Sequence, residues 1–245
     1  MKQVAIMNAA TLTILFDNYA GLPGLQTLWG FAALIRTSTR TILFDTGSNG
    51  RVLLKNMQVL GIDPREIDTV FLSHTHWDHI GGVDSILELN PNVTLVLHEG
   101  FSKHLINDLR RLCRTLIVVG AEPYELAPGI YSTGMLAADP PEHALILEVN
   151  ARLALIGGCS HPGIAQLVEQ SQVFVNKPVR WAIGGFHLMY SDDAAITAAI
   201  AQLQALGVSE VAATHCTGDA ARIAFRAAYG AGFIEGGVGR TIELC

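Results

Sequence analysis

The stretch VFLSHTHWDHIGG, residues 70–82, carries four potential metal ligands, His74, His76, Asp78 and His79, within six positions. It leaves an apolar run, IDTVFL (67–72), that reads as a buried strand, so its backbone is anchored at one end. His74 and His76 are two apart and can point the same way from an extended segment. Asp78 and His79 follow in a tighter turn, where their side chains diverge. Two imidazoles facing one way and a carboxylate–imidazole pair facing another can serve two adjacent metals. Nitrogen and oxygen donors suit zinc, and also iron or manganese. The competing reading is a histidine-rich surface loop without metal, and four donors directly after a buried strand argue against it. The Gly81–Gly82 pair is expected to free the backbone to turn into the next helix.

Outward from this loop, the first half reads as strands at 11–17 (TLTILFD), 30–37 (GFAALIRT) and 40–47 (RTILFDTG). A helix follows over 48–61, with Val52, Leu53, Met57 and Leu60 on one face, Ser48 or Asn49 as cap and Gly61 as stop. GVDSILELN (82–90) reads as a helix and VTLVLHE (93–99) as a strand. In the second half, HALILEVN (143–150) and RLALIGG (152–158) read as strands joined by a turn at Asn150-Ala151. Helices at 163–171, 191–207 and 218–230 then alternate with strands at 179–186, 208–216 and 240–244. The N-terminal stretch, residues 1–18, reads as strand. There is no linker or low-complexity tract, so residues 1–245 read as one α/β (α+β) domain. Strands and helices in both halves predict two packed sheets with helices outside.

Half of the residues are apolar and 16% are charged, which is enough for a sizeable core. The formal net charge of −6 disfavours binding of nucleic acid through a basic surface. The one basic cluster, Arg110, Arg111 and Arg114, is the solvated end of a helix or a clamp for an anionic substrate. Cys113, Cys159, Cys216 and Cys245 show no CxxC spacing, which suits free thiols in a reducing compartment. No leader pattern and no apolar run of membrane-spanning length is present, so a cytoplasmic protein is expected. The expected partner is a small-molecule substrate, with no nucleic acid and no membrane; a homo-oligomer stays open.

The HxHxDH spacing after a strand resembles the signature of the metallo-β-lactamase superfamily. LFDTGSNGRVLLKNMQVLGID (43–63), SHTHWDHIGG (73–82), GGCSHPGI (157–164), IGGFHL (183–188) and THCTG (214–218) occur in the order of one branch. That branch holds metal-dependent hydrolases similar to the dihydropterin–ribofuranosylaminobenzene phosphate synthases of methanopterin biosynthesis. The resemblance runs over nearly the whole chain. It implies an αββα four-layer sandwich with two divalent metal ions at one edge of the sheets. His74 and His76 match ligands of the first metal, and His161 completes that site. Asp78, His79 and His215 match ligands of the second. Asp45 matches an aspartate behind the metal loop that orients ligands. Cys159 stands where a bridging aspartate is usual. It is either a thiolate ligand or a small buried hydrophobe. His143 lies near the superfamily's usual histidine position, beside residues that look more like the branch's acidic segment. His187 ends an apparent strand and is substrate-facing, a metal ligand or a hydrogen-bonded core residue. His98 and His104 have no partners in sequence and read as structural.

Two metals roughly 3.5–4 Å apart can share a water and lower its pKa toward neutrality. The expected activity is therefore that of a dinuclear metal-dependent hydrolase, its hydroxide attacking a small anionic or phosphorylated substrate. Asp78 and His187 are the expected catalytic residues. Two alternatives use the same ligands: a pterin-diphosphate-dependent synthase, in which an arylamine attacks, and a non-catalytic metal-stabilised binding or sensor protein. No G-x-S-x-G elbow is present, which argues against covalent acyl transfer. His76 stands where diiron relatives carry glutamate, which argues against redox chemistry. The segments 17–30 and 101–140 are the expected substrate-determining loops, with Tyr19 and Trp29 as candidate walls.

Overall fold

The apolar runs of this chain are buried on both sides, and that dictates layers. In a strand, successive side chains face opposite ways. In 143–149, Leu145 and Leu147 enter one core and Ile146 another. In 41–44, Ile42 and Phe44 face one core and Leu43 a second. Strands of this kind need a sheet packed on one face and helices on the other.

The computed structural model describes residues 7–245, and residues 1–6 of the N-terminal strand reading lie outside them. Among the described residues, thirteen strands form two sheets. The first joins β1 (Ala10–Phe16), β2 (Ala32–Arg36), β3 (Thr41–Phe44), β4 (Thr69–Phe71), β5 (Thr94–His98), β6 (Thr115–Val119) and β13 (Thr241–Leu244) in the order β13-β1-β2-β3-β4-β5-β6. The second joins β7 (Tyr124–Ala127), β8 (Ile130–Ser132), β9 (Leu145–Val149), β10 (Arg152–Gly157), β11 (Val179–Gly185) and β12 (Glu210–Thr214) in the order β12-β11-β10-β9-β8-β7. Phe31, Phe44, Phe71, Leu145, Ile156 and Trp181 fill the space between the sheets. Outside the first sheet, α1 (Gly50–Val59), α3 (Val83–Leu89) and α4 (Lys103–Leu112) cover it with Leu53, Met57, Ile86 and Leu109. Outside the second, α5 (Ile164–Val175), α6 (Asp193–Ala205) and α7 (Asp219–Tyr229) contribute Leu167, Val168, Leu203 and Phe225. The αββα sandwich expected from the sequence is thus present.

Local chemistry explains most boundaries. Asn49 caps α1 by accepting from the Val52 amide, and Asp192 caps α6 by accepting from Ala195. Asn150 (φ 48°) and Ala151 (φ 59°) turn β9 into β10, both in the left-handed region that a two-residue hairpin turn uses. The burial face of α1 differs from the expected one. Leu53 and Met57 are buried, but Val52 and Leu60 are only partly so, and the polar Asn56 takes a core position. Its side chain donates to the Leu15 and Gln26 carbonyls, both at 2.9 Å, and accepts from the Gln26 amide at 2.8 Å. That fixes the loop 17–30 to the first sheet.

No strand is expected within 101–140, and the structure places three there. Thr115–Val119 is a β-branched run that carried the signal. β7 and β8 are short, and β7, mostly solvent-facing, lacks the alternation that marks a half-buried strand.

The topology sets where the chemistry lies. β3, β4, β5 and β6 run parallel, as do β10, β11 and β12. The carboxyl ends of parallel strands leave a crevice in which ligands bind. Asp45, His74, Cys159, His187 and His215 all follow the carboxyl ends of such strands.

Candidate metal centre

The HxHxDH loop leaves β4 and enters α2 (Trp77–Ile80) at His76. His74, Asp78 and His79 are buried there, while His76 and Trp77 are exposed. Gly81 and Gly82 keep ordinary negative φ, so the expected turning freedom is not their role. A Cβ on Gly81 would stand 2.5 Å from the Ser48 carbonyl, and one on Gly82 2.4 Å from that of Thr46. They are small because the β3 turn packs directly on the metal loop.

Two donor groups converge at this edge. In the first, ligand atoms of His74, His76 and His161 lie within 4.8 Å of one another. The three rings stand 4.7–4.9 Å apart and steeply inclined, as imidazoles aimed at one point do. The Nε2 atoms of His74 and His161 are buried with no hydrogen-bond partner, a costly state unless an ion takes their lone pairs. In the second, Asp78 Oδ2 is 3.7 Å from His79 Nε2 and 3.3 Å from His215 Nε2, and the two histidine nitrogens are 3.2 Å apart. Tetrahedral donors with bonds of about 2.0–2.1 Å stand about 3.3 Å apart. Cys159 Sγ lies 3.2 Å from His79 Nε2, and it falls within donor groups containing His74, His161 and His215 as well. The donor atoms therefore stand close enough to hold divalent metal, with the Cys159 thiol within reach of both groups.

Each buried imidazole is oriented by a second residue, as metal-binding histidines usually are. Asp45 Oδ2 accepts from His79 Nδ1 at 2.7 Å and from Ser73 Oγ at 2.7 Å, and Oδ1 accepts from the Ser73 amide. Ser73 Oγ in turn lies 2.9 Å from His74 Nδ1. Asp45 thus sits behind the metal loop as expected. Three orienting residues escaped sequence reasoning, Ser73 among them. Asn18 Oδ1 accepts from His215 Nδ1 at 2.9 Å. Glu142, fully buried, accepts from the amides of Gly158, Cys159, Ser160 and His161 at 2.9–3.0 Å and from His161 Nδ1 at 2.8 Å. Burial alone would raise Glu142, but the His74 and His161 rings and these donors hold it well below the ordinary carboxylate range. Burial opposes charge on His79 too, yet the Asp45 carboxylate, with Asp78, pushes it up to about 9. An ion entering there displaces a proton.

Asp45 (φ 54°), Ser160 (φ 61°), His187 (φ 52°) and His215 (φ 50°) all hold left-handed backbone around the centre. Each such non-glycine residue stores of order 1–3 kcal/mol, and strain of this kind gathers at functional sites. His187 is exposed, with its ring 4.5 Å from that of His161. Phe186 and Leu188 on either side of it line a groove of about 670 Å³ between α5 and α6, which lies beside the donors rather than over them. Trp29 stands 4.9 Å from the His215 ring, so the 17–30 loop walls the site. Arg110, Arg111 and Arg114 are exposed at the end of α4, the solvated reading.

His143 is not a donor. Its Nδ1 faces Ser132 Oγ and its Nε2 the Leu72 carbonyl, both at 2.9 Å. His104 is exposed on α4, and His98 is buried with its ring 5.0 Å from that of His143. Burial pushes His98 down to about 4 and His143 down to about 3. Both are neutral in the fold and protonate near 6.5 when unfolded. Their contribution is therefore complete above about 6.5 and is lost as pH falls from there toward 4 and 3, by up to about 1.4 kcal/mol per pH unit each. His98→Phe should flatten the loss of urea stability between pH 6.5 and 4.5 relative to wild type. An unchanged slope would show that His98 does not carry it.

Three comparisons bear on this geometry. The family described as the metallo-beta-lactamase superfamily matches residues 30–130. The 7,8-dihydropterin-6-methyl-4-(beta-D-ribofuranosyl)-aminobenzene-5'-phosphate synthase of Methanocaldococcus jannaschii is 30% identical, over 83% of this chain and 86% of its own. Tm1679, described as a metal-dependent hydrolase of the beta-lactamase superfamily, superposes with a TM-score of 0.79 at 24% identity, covering 96% of this chain and 99% of that one. The metallo-beta-lactamase fold protein YhfI from Bacillus subtilis superposes at 0.70 with 16% identity, covering 97% and 100%. Among the described residues, no helix is long and apolar enough to cross a membrane.

Proposed function

The chain belongs to the metallo-beta-lactamase superfamily, and on that premise we propose that it is a dinuclear metal-dependent hydrolase of a small anionic or phosphorylated substrate. The observation that carries this reading is the pair of converging donor groups, one with two orphaned buried Nε2 atoms. Two divalent ions, most simply zinc for this donor set, supply Lewis acidity toward a phosphoryl or carbonyl oxygen and lower the pKa of a water when bound. His74, His76 and His161 hold one ion, and Asp78, His79, His215 and Cys159 the other. Asp45, Ser73, Glu142 and Asn18 keep protons on the Nδ1 atoms, so that the Nε2 lone pairs of His74, His79, His161 and His215 face the centre. Asp78, the one carboxylate among the donors, takes and returns a proton. His187, exposed beside His161, meets the substrate. The net charge of −6 supports a small molecule rather than nucleic acid as partner, and the free thiols support a cytoplasmic location.

A second reading, transfer of a pterin-diphosphate carbon to an arylamine, is favoured by the M. jannaschii relative. One experiment separates them. Metal-loaded protein is offered a panel of phosphomonoesters, phosphodiesters and carboxylic esters, and separately pterin diphosphate with the aminobenzene riboside phosphate. Ester turnover without condensation product is expected. A condensation product assigns the synthase reading instead, and inertness toward the whole set with both ions bound leaves a binding protein.

A further inference from the structure

Cys216 follows His215 directly, is 5% exposed, and has no task in the reading above. In an extended strand, neighbouring side chains face opposite ways, so the residue after a ligand points away from it. Here β12 ends at Thr214, and the chain enters a 3-10 turn, His215–Thr217, with His215 at φ 50°. The turn brings the two neighbours together. Cys216 Sγ, Cys159 Sγ and a His215 ring nitrogen all lie within 4.8 Å of one another. His215 Nδ1 is committed to Asn18, which leaves Nε2 to face the other donors. The sulfur's hydrogen-bond acceptor within the protein is the Cys159 carbonyl at 3.7 Å, a long contact for a weak donor. Space is kept for it: a Cβ on Gly185 would stand 2.6 Å from Cys216 Sγ.

We propose that Cys216 is itself a metal ligand, so that the ion beside His215 is held by two thiolates, Cys159 and Cys216, with imidazole nitrogen. This rests on the metal reading above and deepens it. A pair of thiolates selects a thiophilic divalent ion, zinc, cobalt or cadmium, over manganese or magnesium. The other two cysteines take no part: Cys113 and Cys245 fall in no donor group among the described residues.

Chelator-stripped full-length protein and its Cys216→Ser, Cys216→Ala, Cys159→Ser and doubly substituted forms are titrated with cobalt(II). Bound ion and near-ultraviolet sulfur-to-cobalt charge-transfer absorption are both read. Wild type should show strong charge transfer, each single variant about half of it, and the double variant none. Serine adds a hydroxyl and alanine leaves a small void, so agreement between the two Cys216 variants separates ligand loss from misfolding. Cys216 variants that match wild type, with all absorption lost in Cys159→Ser, overturn the proposal and leave the two-metal reading intact. Cobalt bound to wild type without charge transfer overturns it equally. Protein that takes up no cobalt removes both readings.

Discussion

Glu142→Gln is expected to destabilise the fold by about 3–5 kcal/mol and to weaken metal binding by about 100-fold. The carboxylate accepts five hydrogen bonds in a fully buried position. Oε1 takes three consecutive amides, those of Gly158, Cys159 and Ser160, and Oε2 takes the amide and ring of His161. Glutamine has nearly the same shape but offers an NH2 to one of these donor sets. Two or more buried N–H groups then lose their acceptor, and the charge that offsets the neighbouring imidazoles is gone. The loop that presents Cys159 and His161 is otherwise tied to β11 by Ser160 Oγ donating to the Gly185 carbonyl and the Gly185 amide donating to the Gly158 carbonyl. Urea unfolding of chelator-treated protein reads the first effect, and competition with a zinc indicator the second. A variant with the wild-type urea midpoint would refute the anchoring role.

The second large effect is expected from Asp45→Asn. This side chain accepts from Ser73 twice and from His79 Nδ1. An amide can satisfy one of those partners only by turning its NH2 toward another, and His79 relieves the clash by moving its proton to Nε2. That nitrogen can then no longer bind an ion. The same substitution behind a catalytic histidine elsewhere lowers turnover about 10⁴-fold, and loss of an orienting partner lowers metal affinity about 10–100-fold. Asp45 sits at φ 54°, a conformation asparagine adopts readily, so the backbone is not a confounding cause. Nitrogen-15 NMR of the histidine rings tests the mechanism directly. A variant with His79 still protonated on Nδ1 and undiminished turnover would sink it.

The sequence carried the strands and helices that were long or strongly patterned, the hairpin at Asn150-Ala151 and the metal loop. It failed where burial inverted ordinary preference. Asn56 took a core position because three backbone groups of the 17–30 loop and β1 needed a partner there. β7 was missed because its residues are mostly solvent-facing at the sheet edge.

His74, His76, Asp78 and His79 could be read by spacing because a single loop holds them. Candidate donors from later strands were found through the resemblance. The residues that orient them were not legible, since nothing local marks them: Asn18 meets a histidine 197 positions away, and Glu142 one that is 19 away. The neighbours Glu142 and His143 show the limit most plainly. Both are polar, and the sequence offered only His143 as a candidate for the site. The approach to β9 faces them in opposite directions, Glu142 into the 158–161 loop and His143 against Leu72 and Ser132. Composition and spacing determined that this chain concentrates metal donors. Which atom each one presents was decided by strand register and by partners that only the folded sheets bring within hydrogen-bond reach.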